Sequence, residues 1–169
     1  ERERERAVLC MDDIPEASFS ETYESVGEFL GEGCYGQVVQ VRHRKTGLVC
    51  AAKFAKLEGK TPEDTEHILV SLPREIQALR EASNTQQRHV CNLVDYFLNS
   101  EDPRCVVIVM ELCQGNNLLQ YTSRAGGDLP HLQDDVVLNG LLKITRDILT
   151  GLQFLHERNV IHRDLKPEN

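Results

Sequence analysis

The stretch Gly31-Glu32-Gly33-Cys34-Tyr35-Gly36-Gln37-Val38 constrains this chain more than any other, because of what flanks it. Val26, Glu28 and Leu30 alternate in front of it, and Val39 and Val41 alternate with Gln40 and Arg42 behind. Period-two alternation marks half-buried strands, so the glycines stand between two of them. Glycine lets a polyphosphate come close to backbone N–H groups and accepts the positive φ angles such a loop requires. The GxGxxG spacing also marks dinucleotide-binding turns, but those lead into a helix and here a strand continues. The competing reading is a glycine-rich hairpin that binds nothing.

A turn at Lys45-Thr46-Gly47 and an apolar run from Leu48 to Phe54 complete a three-strand antiparallel meander. Two further strands are expected at Val90 to Phe97 and Cys105 to Glu111, separated by the polar Asn99 to Arg104. Thr61-Pro62-Glu63-Asp64 has the order of an N-cap, a first-turn proline and acids facing the helix dipole. Pro73 is expected to interrupt that helix, with a second running from about Arg74 to Ala82. Between Asp134 and Asn159, Leu141, Ile144, Ile148, Leu152 and Leu155 recur at threes and fours, the period of one long amphipathic helix. Strands first and a long helix later give an α+β class.

Lys53 ends the third strand as Ala51-Ala52-Lys53, where an ammonium can reach beneath the glycine loop. A snorkelling strand lysine is the plainer alternative. Glu75 is the preferred counter-charge because it stands in Arg74-Glu75-Ile76 with apolar Leu79 one turn on; Glu66 and Glu81 compete for the role. After the long helix comes Val160-Ile161-His162-Arg163-Asp164-Leu165-Lys166-Pro167-Glu168-Asn169, which matches HRDLxxxxN in full. An ordinary polar turn would need five specified residues to coincide.

With these motifs in this order, the chain from Tyr23 to Asn169 resembles the eukaryotic protein kinases. The resemblance rests on GEGCYGQV, AAK, REI, VMEL and HRDLKPEN. It implies a small lobe of five antiparallel strands plus one regulatory helix over residues 23–113, followed by the first helices of an incomplete helical large lobe over 114–169. Residues 1–22 are an N-terminal extension. It implies ATP and Mg²⁺ as cofactors. Gly31, Gly33 and Gly36 would face the phosphates, with Lys53 neutralising them and Glu75 holding Lys53. Leu30, Val38 and Ala51 would enclose adenine, Met110 would be the gatekeeper, and the backbones of Glu111 and Cys113 would hydrogen-bond the base. Glu168 would offer a carbonyl near the ribose. Asp164 would orient the acceptor hydroxyl and take its proton, Lys166 would offset charge on the transferred group, and Asn169 would hold the metal. Leu79, Leu93 and His162 resemble members of the regulatory spine. Lys166 within Asp-Leu-Lys-Pro-Glu-Asn resembles the serine/threonine type, so the partner is a protein substrate with a Ser or Thr hydroxyl. The helix leading into Leu155-His156-Glu157-Arg158-Asn159 resembles the calcium/calmodulin-regulated group. Asn117 departs from the family, where an acid commonly binds ribose; an amide still donates and accepts, so a weaker contact is expected. Cys34 and Cys113 are expected near the nucleotide.

A net charge of −8 argues against a nucleic-acid partner. The apolar run Cys105 to Met110 is too short for a membrane span. Six cysteines without a CxxC pair suit a reducing compartment, cytoplasmic or nuclear. Glu1 to Arg6 alternates Glu with Arg and reads as a solvated tail. The chain starts at Glu1 and stops at Asn169, inside a motif, so both ends are expected to be cut. On that expectation the 169 residues alone do not turn over, for want of the Asp-Phe-Gly metal ligand. A non-catalytic nucleotide-binding or docking module is the alternative function, and a small-molecule kinase of similar fold is a third. The regulator is not legible.

Overall fold

A computed structural model describes residues 9–33, 36–59, 61–83, 86–115, 117–120 and 135–168. Strand β1 (Glu16–Ala17) and the single turn α1 (Phe19–Thr22) lead into β2 (Tyr23–Gly33), β3 (Gly36–His43) and β4 (Val49–Lys56). Helix α2 (Pro62–Ala82), β5 (Leu93–Asn99), β6 (Cys105–Glu111) and α3 (Asp135–His156) follow. Contacts divide the chain into two compact units, Glu1–Ser83 with Cys91–Leu112, and Asn84–Val90 with Cys113–Asn169. Among the described residues, no helix is long and apolar enough to cross a membrane.

In the first unit the sheet order is β1-β5-β6-β4-β3-β2. The five expected strands, β2 to β6, pair antiparallel, and β1 adds a short parallel pairing to β5 through Glu16↔Leu98 and Ala17↔Asn99. Both faces of the sheet carry an apolar cluster, because its strands alternate between two apolar sets. One set gathers Val41, Cys50, Ala52, Phe97, Val107 and Val109 around buried Tyr23. The other gathers Ala55, Val106 and Ile108 with Leu72 and Ile76 of α2. Leu9 and Ile14, assigned above to the extension, are buried in this second set.

Two expectations for the elements of this unit need correction. Pro73 does not interrupt: α2 is one helix from Pro62 to Ala82 with Pro73 inside it. An internal proline costs ~3 kcal/mol. Ile68, Leu72 and Ile76, four apart on one face, are all buried, and each such side chain returns about 1.5–3 kcal/mol, which offsets that cost. Thr61 and Asp64 close the capping box at its start. At its end the Ser83 hydroxyl donates to the Leu79 carbonyl and accepts the Leu93 N–H at 2.7 Å, tying α2 to β5. The second correction concerns β5, which runs from Leu93 to Asn99 rather than from Val90 to Phe97. Cys91 and Asn92 are turned to another use, described below.

In the second unit α3 ends at His156, short of the expected Asn159. The stop is a Schellman motif: Asn159 takes φ 60°, its N–H donates to the His156 carbonyl, and the Val160 N–H donates to Leu155 at 3.0 Å. Asparagine tolerates this left-handed conformation, and Val160 and Leu155, the two positions the motif joins, are both buried. Segment 86–90 packs on the same helix at Gly151, where an added Cβ would lie 2.6 Å from the His89 carbonyl oxygen.

Candidate functional site

The first unit brings several of the singled-out residues onto one face of its sheet. Register pairs Val38 with Lys53 across β3 and β4, and Ala51 with Met110 across β4 and β6. Ala51 and Lys53 are two apart on β4, so all four side chains share that face. Ala51 is buried, Val38 and Met110 are half-buried, and Leu30 is 42% exposed on β2. The result is an apolar patch with an ammonium at its edge. Gly33 and Gly36 pair at the paired ends of β2 and β3, and Gly31 pairs with Val38. Cys34 lies outside the described residues.

Helix α2 delivers Glu75 to that ammonium: Lys53 Nζ donates to Glu75 Oε1 at 2.7 Å. The lysine side chain is 14% exposed and the glutamate 34%, which makes this a partly dry, charge-assisted hydrogen bond. Glu66 is exposed at another turn, and Glu81 accepts from the Gln77 side chain at 3.1 Å. The rotation of α2, with Leu72 and Ile76 inward, is what places Glu75 and not its competitors at Lys53.

Glu111, at the end of β6, is held from three directions by residues the sequence reading left in a strand. Its N–H donates to the Asn92 carbonyl, its carboxylate accepts from the Asn92 amide at 2.8 Å, and its carbonyl accepts from the Cys91 thiol. The one available signal was the polar Asn92 at the head of an apolar run, and periodicity averages over such a residue.

The second unit presents the loop that follows α3. The Asp164 N–H donates to His162 Nδ1, and Arg163 between them sits at φ 64°. A left-handed non-glycine residue costs roughly 1–2 kcal/mol, and such strain gathers at functional loops. The Lys166 ammonium stands 3.0 Å from Asp164 Oδ1. Both side chains are exposed, so the pair adds little stability, but it puts a cation beside a carboxylate able to accept a proton. Pro167 is anchored by its carbonyl, which accepts the Leu119 N–H. Asn117 spends its amide oxygen as an N-cap, accepting the Gln120 N–H at 2.8 Å. Cys113 and Glu168 are exposed, and Asn169 lies outside the described residues.

Known proteins share this sequence pattern. A family model described as the protein kinase domain matches residues 24–169. A probable protein kinase of Dictyostelium discoideum is 30% identical over 151 residues, 89% of this chain and 13% of that protein. Cell division control protein 2 homolog 1 of Trypanosoma brucei brucei is 34% identical over 140 residues, 83% of this chain and 40% of its own. CDPK-related kinase 1 of Arabidopsis thaliana is 32% identical over 151 residues, 89% and 24% respectively. The chain thus spans less than half the length of these curated relatives. With the family match covering nearly all of the residues that build the sheet, α2 and the loop after α3, the chain belongs to the protein kinase domain family.

Proposed function

We propose that these residues form the nucleotide-binding lobe and catalytic loop of a serine/threonine protein kinase that phosphorylates protein hydroxyls. The observation that carries the reading is the Lys53–Glu75 contact at 2.7 Å, on the face shared by Val38, Ala51 and Met110. An apolar patch beside a held ammonium suits a flat base with a phosphate chain. Val38, Ala51, Met110 and Leu30 would pack on adenine, while Glu111 and Cys113 would meet its polar edge through their backbones. Gly31, Gly33 and Gly36 would admit the phosphates, Asn117 and Glu168 would face the ribose, and Asn169 would offer an amide oxygen to Mg²⁺. MgATP, when bound, supplies the phosphoryl group.

The chain's own part is positioning and charge. Lys53, oriented by Glu75, holds phosphate oxygens. The Asp164 carboxylate, fixed through its backbone by His162, orients the Ser or Thr hydroxyl and accepts its proton. Lys166 offsets negative charge beside it. Serine/threonine selectivity is supported by Lys166 in Asp-Leu-Lys-Pro-Glu-Asn and by the names of the Trypanosoma and Arabidopsis relatives. Six cysteines without a CxxC pair support a cytoplasmic or nuclear setting.

The test is magnesium-dependent transfer of radiolabelled phosphate to a Ser/Thr protein substrate by the protein containing these residues. Asp164→Asn and Lys53→Met should each abolish it; undiminished transfer in either variant removes that residue from the machinery. Residues 1–169 alone are expected to give no useful turnover, and transfer by that polypeptide that disappears in Asp164→Asn would overturn this.

A further inference from the structure

The family match starts at residue 24, yet the first unit is built from residue 9 onward. Leu9 and Ile14 are buried in the cluster that contains Leu72 and Ile76 of α2, and Met11 packs against the same cluster. The Leu9 N–H donates to Gln77 Oε1 at 3.1 Å, two residues beyond Glu75. At its other end the segment is sewn to the sheet edge. The Leu98 N–H donates to Pro15, the Ser100 N–H donates to Ala17, and β1 pairs with β5 between them. Further on, the Ser18 hydroxyl and the Ser20 N–H both donate to the Glu101 carboxylate. The segment therefore runs from β5 to α2 and is fastened to both.

This placement matters because α2 carries one half of the Lys53–Glu75 pair and the sheet carries the other. A helix resting on a sheet through one apolar stripe can roll or slide by an ångström, and a charge-assisted hydrogen bond does not tolerate that displacement. Leu72 and Ile76 hold α2 from beneath. Leu9 and Ile14 fill the same cluster from a second element, and Gln77 is caught from the side. We propose that residues 9–17 are a brace for α2, which makes Leu9, Ile14 and Gln77 positioning residues for the Lys53–Glu75 pair although the brace lies outside the family's own domain. Its meaning for phosphoryl transfer rests on the kinase reading; its geometry does not.

The experiment therefore uses two readouts that require no catalysis, on the protein containing these residues, without nucleotide. The first is hydrogen exchange of α2 amides compared with those of β4 and β6. The second is the rate at which Lys53 is acylated by a small amine-reactive ester. In Leu9→Ala and in Gln77→Leu, α2 amides are expected to exchange about tenfold faster or more while β4 and β6 keep their protection. Lys53 acylation is expected to rise several-fold. Leu9→Met, which refills the space, should restore both. In a Glu75→Gln background the brace variants should leave Lys53 acylation unchanged, since the pair they act through is gone. Exchange rising equally in β4 and β6 would mean that the segment only stabilises the lobe, and would overturn the proposal. So would unaltered Lys53 acylation in both variants. Phosphate transfer measured alongside tests the kinase reading by itself.

Discussion

Two glycines of the same loop should respond to the same substitution in opposite ways. Gly36 opens β3 at φ +155°, and a Cβ added there would lie 1.8 Å from the Phe54 carbonyl oxygen and 2.9 Å from its carbon. Those atoms belong to the backbone of β4, which pairs with β3 on one side and β6 on the other. Neither strand can retreat without breaking its ladder. Overpacking of this kind costs about 1–3 kcal/mol, and the backbone conformation itself adds about 1–3 kcal/mol for any residue but glycine. Gly36→Ala should therefore lose roughly 2–6 kcal/mol, a large share of a typical domain's stability, and lower Tm by roughly 10 °C. Gly31 has nothing within 4 Å of its added Cβ and no positive φ. Gly31→Ala should unfold within about 0.5 kcal/mol of the parent. Its penalty should show only with ligand, as a smaller rise in Tm on adding MgATP, because on the proposed function the methyl group would stand where phosphates approach. Thermal unfolding with and without MgATP reads both. A Gly36→Ala protein melting at the parent temperature would refute the steric argument. A full nucleotide-induced rise in Gly31→Ala would show that this glycine serves no ligand.

Other expectations follow from single contacts. Glu75→Gln removes the charge facing Lys53; because the pair is partly exposed, unfolding free energy in urea should fall by no more than about 1 kcal/mol, while phosphate transfer falls far more. The Cys105 thiol is pushed up from 9.0 to about 11, mainly by burial, with the charge of Asp102 adding to it. The folded value lies above the unfolded one, so this contribution is whole below pH 9 and is lost as pH rises toward 11. Urea midpoints across that range should fall less steeply in Cys105→Val, and equal slopes would contradict the assignment. Tyr23, raised by burial and by Asp95, should add its own loss at still higher pH. Gly151→Ala should destabilise α3 despite alanine's advantage of about 1 kcal/mol in a helix, because the methyl group meets the His89 carbonyl; a higher Tm would disprove that packing.

The parts legible in the sequence are those whose cause is local. Alternation at Val39 and Val41 comes from the geometry of a single strand, and the capping box at Thr61 and Asp64 from a single helical turn. The glycine loop and the loop carrying Asp164 and Lys166 are likewise contiguous, and their chemistry is written in neighbouring residue types. Some local signals still misled. Pro73 carries the ordinary mark of a helix break, and it is overridden by burial against β4 and β6, which no window around residue 73 contains. Periodicity extends the long helix to Asn159, although that residue's left-handed conformation ends it, because apolar spacing says nothing about the backbone of a polar residue.

By itself, then, the sequence determined the order of the five antiparallel strands and the long helix after them, the glycine loop, and the Asp164 loop with its family. Only the tertiary structure decided that Glu75, among the three candidate glutamates of one helix, meets Lys53 from 22 positions away. The same is true of Cys91 and Asn92 gripping Glu111, and of residue 9 reaching Gln77 across 68 positions. The physical reason is common to all of them. Propensity and periodicity act over a few residues, whereas helix rotation and the path of the segment before the sheet are set by which apolar side chains fill one shared core.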